Sequence, residues 1–274
     1  MIIDGRSIAN AILRDLRMKV EKLTIQPRLS VILVWENPAS LSYIKQKERS
    51  ALISGIDFEL RQFPVDTTEG RILDAIQELN RDARVHGFII QLPLPKHIET
   101  NKIIEAIDPR KDVDGFTSQN IGKLFLGTAQ LISCTPKGVM RLLETIGVKI
   151  SGENIVMVGK SNIVGKPLSL LLMNAWGTVT VCHKDTRNLG EFTKNADIII
   201  VAAGCPGLVK KDTVRPGATI IDVGFTLVDG KICGDADFEE LEPNCLISPV
   251  PGGVGPMTVA MLMENTYIAA KNQI

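Results

Sequence analysis

A chain of 274 residues, 45% hydrophobic and 23% charged, has room for one large domain or two ordinary ones with substantial cores. Lysine plus arginine and aspartate plus glutamate both total 31, so nothing points to a nucleic-acid partner, although a local basic pocket stays open. Apolar runs such as DIIIVAAG at 197–204 are too short to span a bilayer. The N-terminus interleaves its apolar residues with Asp4, Arg6, Arg14, Asp15 and Arg17, unlike a signal peptide, so a cytoplasmic protein with no membrane partner is expected.

Hydrophobic periodicity alternates between helix and strand from end to end. Helices are expected over about 5–23, 39–54, 68–83 and 97–107, around strands at 29–35, 57–63 and 86–91. Runs of β-branched residues bounded by helices argue for parallel strands with crossovers. DPRKDVDGFTSQNIG at 108–122 breaks the pattern with Asp, Pro and Gly and reads as a boundary region. Beyond it, helices at 137–146, 164–175 and 187–195 accompany strands at 154–159, 178–183, 197–204, 218–224 and 244–250. Asp229-Gly230, between apolar residues, signals a two-residue hairpin at 227–232. A helix over 255–272 ends the chain. The expected fold class is α/β in two domains, the second like a dinucleotide-binding sheet. The five cysteines, Cys134, Cys182, Cys205, Cys233 and Cys245, are scattered and lack a C-x-x-C pair, so reduced, mostly buried thiols are expected, without a metal site.

Four stretches carry chemistry. VGKSNIVGKP (158–167) runs from a strand through Gly159 into a helix whose first turn suits Pro167. A helix N-terminus reached this way offers free N–H groups and a positive dipole end to a pyrophosphate, and Ser161 adds a hydroxyl. Taken alone, a ligand-free strand-to-helix turn fits equally well. The next strand discriminates between nicotinamide cofactors. An NAD site places a carboxylate about 20 residues after the first glycine, but TVTVCHKDTR has none before Asp185. His183, Lys184 and Lys160 would attract a 2′-phosphate, which favours NADP over NAD.

In the expected helix 39–54, Leu41, Ile44, Ala51 and Leu52 form a stripe that should face the core. Tyr43 and Lys47, four apart, project together about 110° from its centre, where they could flank a cleft. A lysine deprived of water can act as acid or base near neutral pH, although an exposed helix lysine is usually only a solvated charge. IIQLPLPKH puts Gln91 at the end of a strand, and KDVDGF puts Asp112 and Asp114 in the boundary loop. SPVPGGVGPMTVAML (248–262) is a stiff loop, poor in side chains, whose backbone could approach a flat ligand closely.

Together, SYIKQK, IIQLPLP, KDVDGF, CTPKGV, GKSNIVGKP, TVTVCH, IDVGF and PVPGGVGPMTVAMLM, in this order along nearly the whole chain, resemble the bifunctional methylenetetrahydrofolate dehydrogenase/methenyltetrahydrofolate cyclohydrolase family. The resemblance implies a folate-site domain over 1–120, completed by the C-terminal helix 256–274, and a Rossmann-like NAD(P)-binding domain with a mostly parallel sheet over 121–255. It implies that Lys47 is the catalytic lysine, that Tyr43 lies against the folate rings, that Gln91 contacts the lysine and that Asp114 hydrogen-bonds the pterin. Leu92 and the loop Pro251, Gly252, Gly253, Val254, Gly255 would also meet the folate. Gly159, Lys160, Ser161, Val164, His183, Lys184 and Phe225 would meet the cofactor, and two subunits would pair through the second domain. Many relatives carry arginine where this chain has Lys160, and isoleucine where it has Phe225. Lysine cannot grip a phosphate bidentately as arginine does. Competing readings are an NADP-dependent dehydrogenase of small oxo- or hydroxy-acids and a non-catalytic nucleotide sensor.

Overall fold

The structure, a computed structural model, describes residues 1–34 and 38–274, with all of their side chains except those of 38–40 and 42. The expected strand end at Trp35 lies outside the described residues. Contacts group the chain into two units, Asn10–Cys134 with Val259–Ile274, and Met1–Ala9 with Thr135–Thr258. The sequence drew its division at 120/121, within a helix described below.

In the first unit, α1 (Gly5–Val20, from Asn10 onward) precedes β1 (Arg28–Val34), α2 (Pro38–Ser54), β2 (Asp57–Phe63), α3 (Glu69–Arg81), β3 (Gly87–Ile90), α4 (Thr100–Glu105) and α5 (Ser118–Phe125). The sheet order is β2-β1-β3, with both pairings parallel. The central strand β1 is buried from Leu29 to Val34, which explains its continuous apolar run in place of an alternating one. Its one buried hydroxyl, Ser30, donates to Glu59 at 2.7 Å, so no polar atom is stranded there. Helix α3 is capped by Thr68, which accepts from the Arg71 N–H, and it buries Ile72, Ala75, Ile76 and Leu79. That spacing of three, one and three makes a single face, which packs on Ile32, Val34, Phe88 and Ile90. Each large side chain buried this way contributes about 1.5–3 kcal/mol.

Two expectations fail in this unit. The boundary stretch 108–122 is not all loop, because α5 begins at Ser118 with Thr117 as its cap. The second concerns α2. Ile44 and Ala51 are buried as expected, but Leu52 is 75% exposed, and Ser50 and Ser54 are buried instead. Ser54 donates to the carbonyls of Ser50 and Ala51, so small polar residues can line the inner face without stranding a group. The buried arc is thereby rotated toward Lys47, which is three or four residues from Ile44, Ser50 and Ala51 and shares their face.

The second unit runs through α6 (Cys134–Thr145, from Thr135), β4 (Asn154–Val158), α7 (Gly165–Asn174), β5 (Thr178–Cys182), α8 (Leu189–Thr193), β6 (Ile198–Val201) and β7 (Thr219–Asp222). It continues with β8 (Thr226–Val228), β9 (Lys231–Cys233), α9 (Phe238–Leu241), β10 (Leu246–Ile247) and the start of α10 (Val254–Lys271). Five parallel strands lie in the order β10-β7-β6-β4-β5, and β8 pairs antiparallel with β9 across Asp229 and Gly230, both at positive φ. The chain steps from β4 to β5 on one side, then returns to β6 on the other. Strand order therefore reverses between β4 and β6, where open α/β sheets form their ligand crevice. Among the described residues, no helix is long and apolar enough to cross a membrane.

Candidate functional site

In the first unit, the end of β3 meets the middle of α2. The backbone N–H of Gln91 extends the β3–β1 ladder by donating to the Ile32 carbonyl at 2.8 Å. Its side-chain amide donates to Leu92 at 2.9 Å, which turns its carbonyl oxygen toward Lys47, whose Nζ donates to it at 2.7 Å. Lysine is donor-only, so the contact fixes the orientation of the amide. Asp114 is the nearby counter-charge. Burial pulls the Lys47 ammonium down from its usual range, and Asp114 and Cys134 oppose that shift. Burial pushes the Asp114 carboxyl up to about 6, while Lys47 opposes the shift and Asp112 reinforces it. Both groups move toward their neutral forms, so loss of water outweighs their mutual attraction. Tyr43 is half-buried, and burial pushes its phenol up to about 12, so it stays protonated. Leu92, Asp114 and Phe116 line a small cavity with Ile89, Ile90, Ile104 and Ile107.

Buried polar groups hold Asp114 in place. Asp112 is 1% exposed and accepts from the N–H groups of Phe116 and Thr117, the Thr117 hydroxyl and the Asn120 amide. Phe88 N–H donates to the Lys111 carbonyl, which ties this segment alongside β3. The Lys111 Nζ donates to the carbonyls of Leu79 and Asp82. From α10, the Asn265 amide donates to the carbonyls of Val113 and Ile132, both at 2.8 Å.

Sequence reasoning missed Cys134 and Asn265 as neighbours of Asp114. Cys134 lies inside CTPKGV, but a scattered thiol reads only as core. Asn265 sits in the polar run Glu264-Asn265-Thr266 within the otherwise largely apolar α10, and that break in the apolar pattern was the available signal.

In the second unit, the Gly159 turn is shaped by missing side chains. Gly159 has φ +125, and a Cβ there would overlap the Ala202 carbonyl oxygen; a Cβ on Gly165 would overlap the carbonyl oxygen of Gly159. These two glycines allow the close strand–helix approach that the usual three-glycine spacing provides. Ser161 corrects one expectation. Its hydroxyl accepts from the N–H groups of Val164 at 3.2 Å and Gly165 at 3.4 Å, and its carbonyl accepts from Lys166. These N–H groups at the start of α7 are therefore not free, although the hydroxyl hydrogen of Ser161 remains to be donated.

Lys160 and Lys184 are exposed and Val164 is half-buried. His183 follows β5, and its Nδ1 accepts from the Asp185 N–H at 3.3 Å, with an Asp185 carboxylate oxygen 3.8 Å away. Phe225 is 48% exposed just after β7. Pro251 to Gly253 lead into α10, which Val254 and Gly255 open: Pro251 and Gly255 are exposed, Gly252 is half-buried with φ +116, and Gly253 and Val254 are buried. The Gly253 N–H donates to the Pro249 carbonyl at 2.8 Å. Of the expected site residues, the structure thus brings Lys47, Gln91 and Asp114 together, with Tyr43 one helical turn from Lys47. Cys134, Cys182 and Cys245 are buried, Cys205 is exposed and Cys233 lies between. Among the described residues, no cluster of three or more His, Cys, Asp or Glu could hold a metal ion.

Known proteins match this chain along nearly its whole length. The catalytic-domain model of tetrahydrofolate dehydrogenase/cyclohydrolase matches residues 3–114, and the NAD(P)-binding-domain model of the same family matches 133–274. The Bifunctional protein FolD of Exiguobacterium sibiricum is 48% identical over 99% of each chain. The crystal structure of the bifunctional methylenetetrahydrofolate dehydrogenase/cyclohydrolase of Campylobacter jejuni superposes with a TM-score of 0.98 at 44% identity, covering 100% of this chain and 99% of that one. The Trypanosoma brucei enzyme, solved with NADP and an inhibitor, has a TM-score of 0.95 at 34% identity, over 99% of this chain and 97% of its own. With both family models matched in order, the chain belongs to the tetrahydrofolate dehydrogenase/cyclohydrolase family.

Proposed function

We propose that this protein oxidises 5,10-methylenetetrahydrofolate to the 5,10-methenyl form with NADP, then hydrolyses that product to 10-formyltetrahydrofolate. The observation that carries the reading is the 2.7 Å contact of Lys47 with Gln91, beside a half-buried Asp114.

NADP supplies the hydride acceptor. The protein's part in that first step is to position two flat ring systems, because no proton has to leave. Gly159, Lys160, Ser161 and Val164 would hold the dinucleotide at the strand-order reversal, where the absent Cβ atoms let the turn pack closely and Lys160 and Ser161 stay exposed. His183 and Lys184 would face the ribose 2′-phosphate, and Phe225 the nicotinamide side. Adding water to the methenyl cation requires one proton to be removed, and opening the ring requires one to be delivered to the departing nitrogen. Lys47 suits both tasks, because burial makes its neutral form accessible and Gln91 fixes its direction. Tyr43 would orient the folate ring through its phenol, Asp114 would bind the pterin, and Leu92 would pack against it. Pro251, Gly252, Gly253, Val254 and Gly255 would present backbone to the substrate.

We place the protein in the cytoplasm as a homodimer joined through its NAD(P)-binding domain, with the folate domain formed by 1–120 and 256–274. Initial-rate assays with methylenetetrahydrofolate and either NADP or NAD test the function. The expected result is NADPH formation with methenyltetrahydrofolate decaying to the formyl product. Absence of both steps overturns the function, and a large preference for NAD overturns the cofactor.

A further inference from the structure

The reaction described above leaves two buried carboxylates of the second unit unused. Asp222, at the end of β7, is 3% exposed, and Asp235, two residues after β9, is fully buried. Asp222 accepts from the N–H groups of Gly224 and Asp235 through one oxygen, at 2.8 and 3.0 Å, and from Ala236 through the other at 2.8 Å. It thus closes the base of the β8–β9 hairpin and fixes where Asp235 stands. Both carboxylates are seated where a neighbour lacks a side chain. A Cβ on Gly224 would overlap Asp235, and a Cβ on Gly234 would overlap Asp222.

Asp235 reaches out of the hairpin to another loop. Its Oδ2 accepts from the N–H groups of Ala203 at 2.6 Å and Gly204 at 2.8 Å, and its backbone carbonyl accepts from Val209 at 3.2 Å. One residue therefore pins both ends of the segment that follows β6. That segment lies against the Gly159 turn, because the missing Cβ of Gly159 leaves room for the Ala202 carbonyl. Within the segment Ala203, Gly204, Cys205 and Pro206 are exposed, so its inward N–H groups are held while its outer face stays open. Among the described residues, the other carboxylate oxygen of Asp235, Oδ1, is buried and has no hydrogen-bond partner. A buried carboxylate oxygen left without a donor costs stability.

We propose that Asp235 is a positioning residue of the dinucleotide site, setting the shape of the 202–208 loop beside Gly159 at the point where strand order reverses. The inference rests on the NADP-binding reading and adds a residue that touches neither cofactor nor folate. Its effect passes through the Ala203 and Gly204 N–H groups.

The test compares Asp235→Ala and Asp235→Asn by titration of NADPH fluorescence, by KM for each substrate, and by hydrogen exchange at the Ala203 and Gly204 amides. In Asp235→Ala, which loses the acceptor, NADPH should bind at least tenfold more weakly, with KM for methylenetetrahydrofolate changed less than twofold. Asp235→Asn keeps an oxygen for both N–H groups and should recover affinity to within about threefold of the parent. Should Asp235→Ala fail to fold, Asp235→Asn decides alone: faster exchange at the two amides must come with weaker NADPH binding. Unchanged NADPH binding in folded Asp235→Ala overturns the inference. So does unchanged binding in Asp235→Asn with both amides deprotected. Failure of the parent protein to bind NADPH overturns the functional reading, and this inference with it.

Discussion

The Lys47 cluster is made of side chains, and the Gly159 turn is made of their absence. Lys47, Gln91 and Asp114 come from three separate segments, and each is held by contacts to groups far away in sequence. The turn uses consecutive residues whose shape follows from two missing Cβ atoms. A side-chain site depends on burial and protonation, and so it should respond to pH and to truncation. A backbone site should respond to added atoms. The two regions ought therefore to fail separately.

The largest effect is expected for Lys47→Met. Methenyl hydrolysis should fall by about 10²–10⁴-fold, the usual worth of a positioned acid/base, with a smaller loss of hydride transfer. Unchanged hydrolysis, read from the decay of methenyl absorbance, would remove Lys47 from its role. On the other side of the comparison, Gly159→Ala adds one carbon at φ +125. Strain of about 1–3 kcal/mol should lower the thermal midpoint by roughly 2–12 °C and weaken NADPH binding, with hydrolysis largely spared. Equal loss of both activities would break the separation.

Acidity sharpens the contrast. With the Asp114 carboxyl near pH 6, its charge is present above that value and lost below it, and only the charged form supports the Lys47 ammonium. Hydrolysis should drop about tenfold from pH 7 to pH 5, as for one titrating group, and Asp114→Asn should flatten that limb. NADPH binding should not follow the same curve. Lys160→Arg should tighten NADP by only about two- to fivefold, the scale of an exposed charge, and leave NAD unaffected. Leu52→Ala, at a position 75% exposed, should change stability by less than about 0.5 kcal/mol.

Elements whose signal is local were legible from sequence. Strand β2 spans the expected 57–63, and the Asp229-Gly230 hairpin lies where its turn residues put it, because positive φ at two successive positions demands such residues. What escaped depended on distant partners. Helix α5 was read as boundary loop because Asp112, which anchors its start from five residues before Thr117, looked like another turn residue. The inner face of α2 was misplaced because two serines satisfy themselves on the helix backbone, leaving Leu52 outside. In the site, motif order pointed to Lys47, Gln91 and Asp114. Neither the thiol of Cys134 beside Asp114 nor the Ser161 hydroxyl turned onto its own helix has a sequence signature.

The Asn265 amide also bears on how the protein is made. It binds carbonyls 152 and 133 residues earlier in the chain, one of them next to Asp114. Gln273 likewise donates to the His86 carbonyl, 187 residues back. A ribosome therefore releases β1 to α5 long before the residues that brace Asp114 exist. The brace on the segment next to Asp114 can form only after the chain has been made through Asn265, so a chain that stops short of it should carry Lys47 and Gln91 without a competent partner for them.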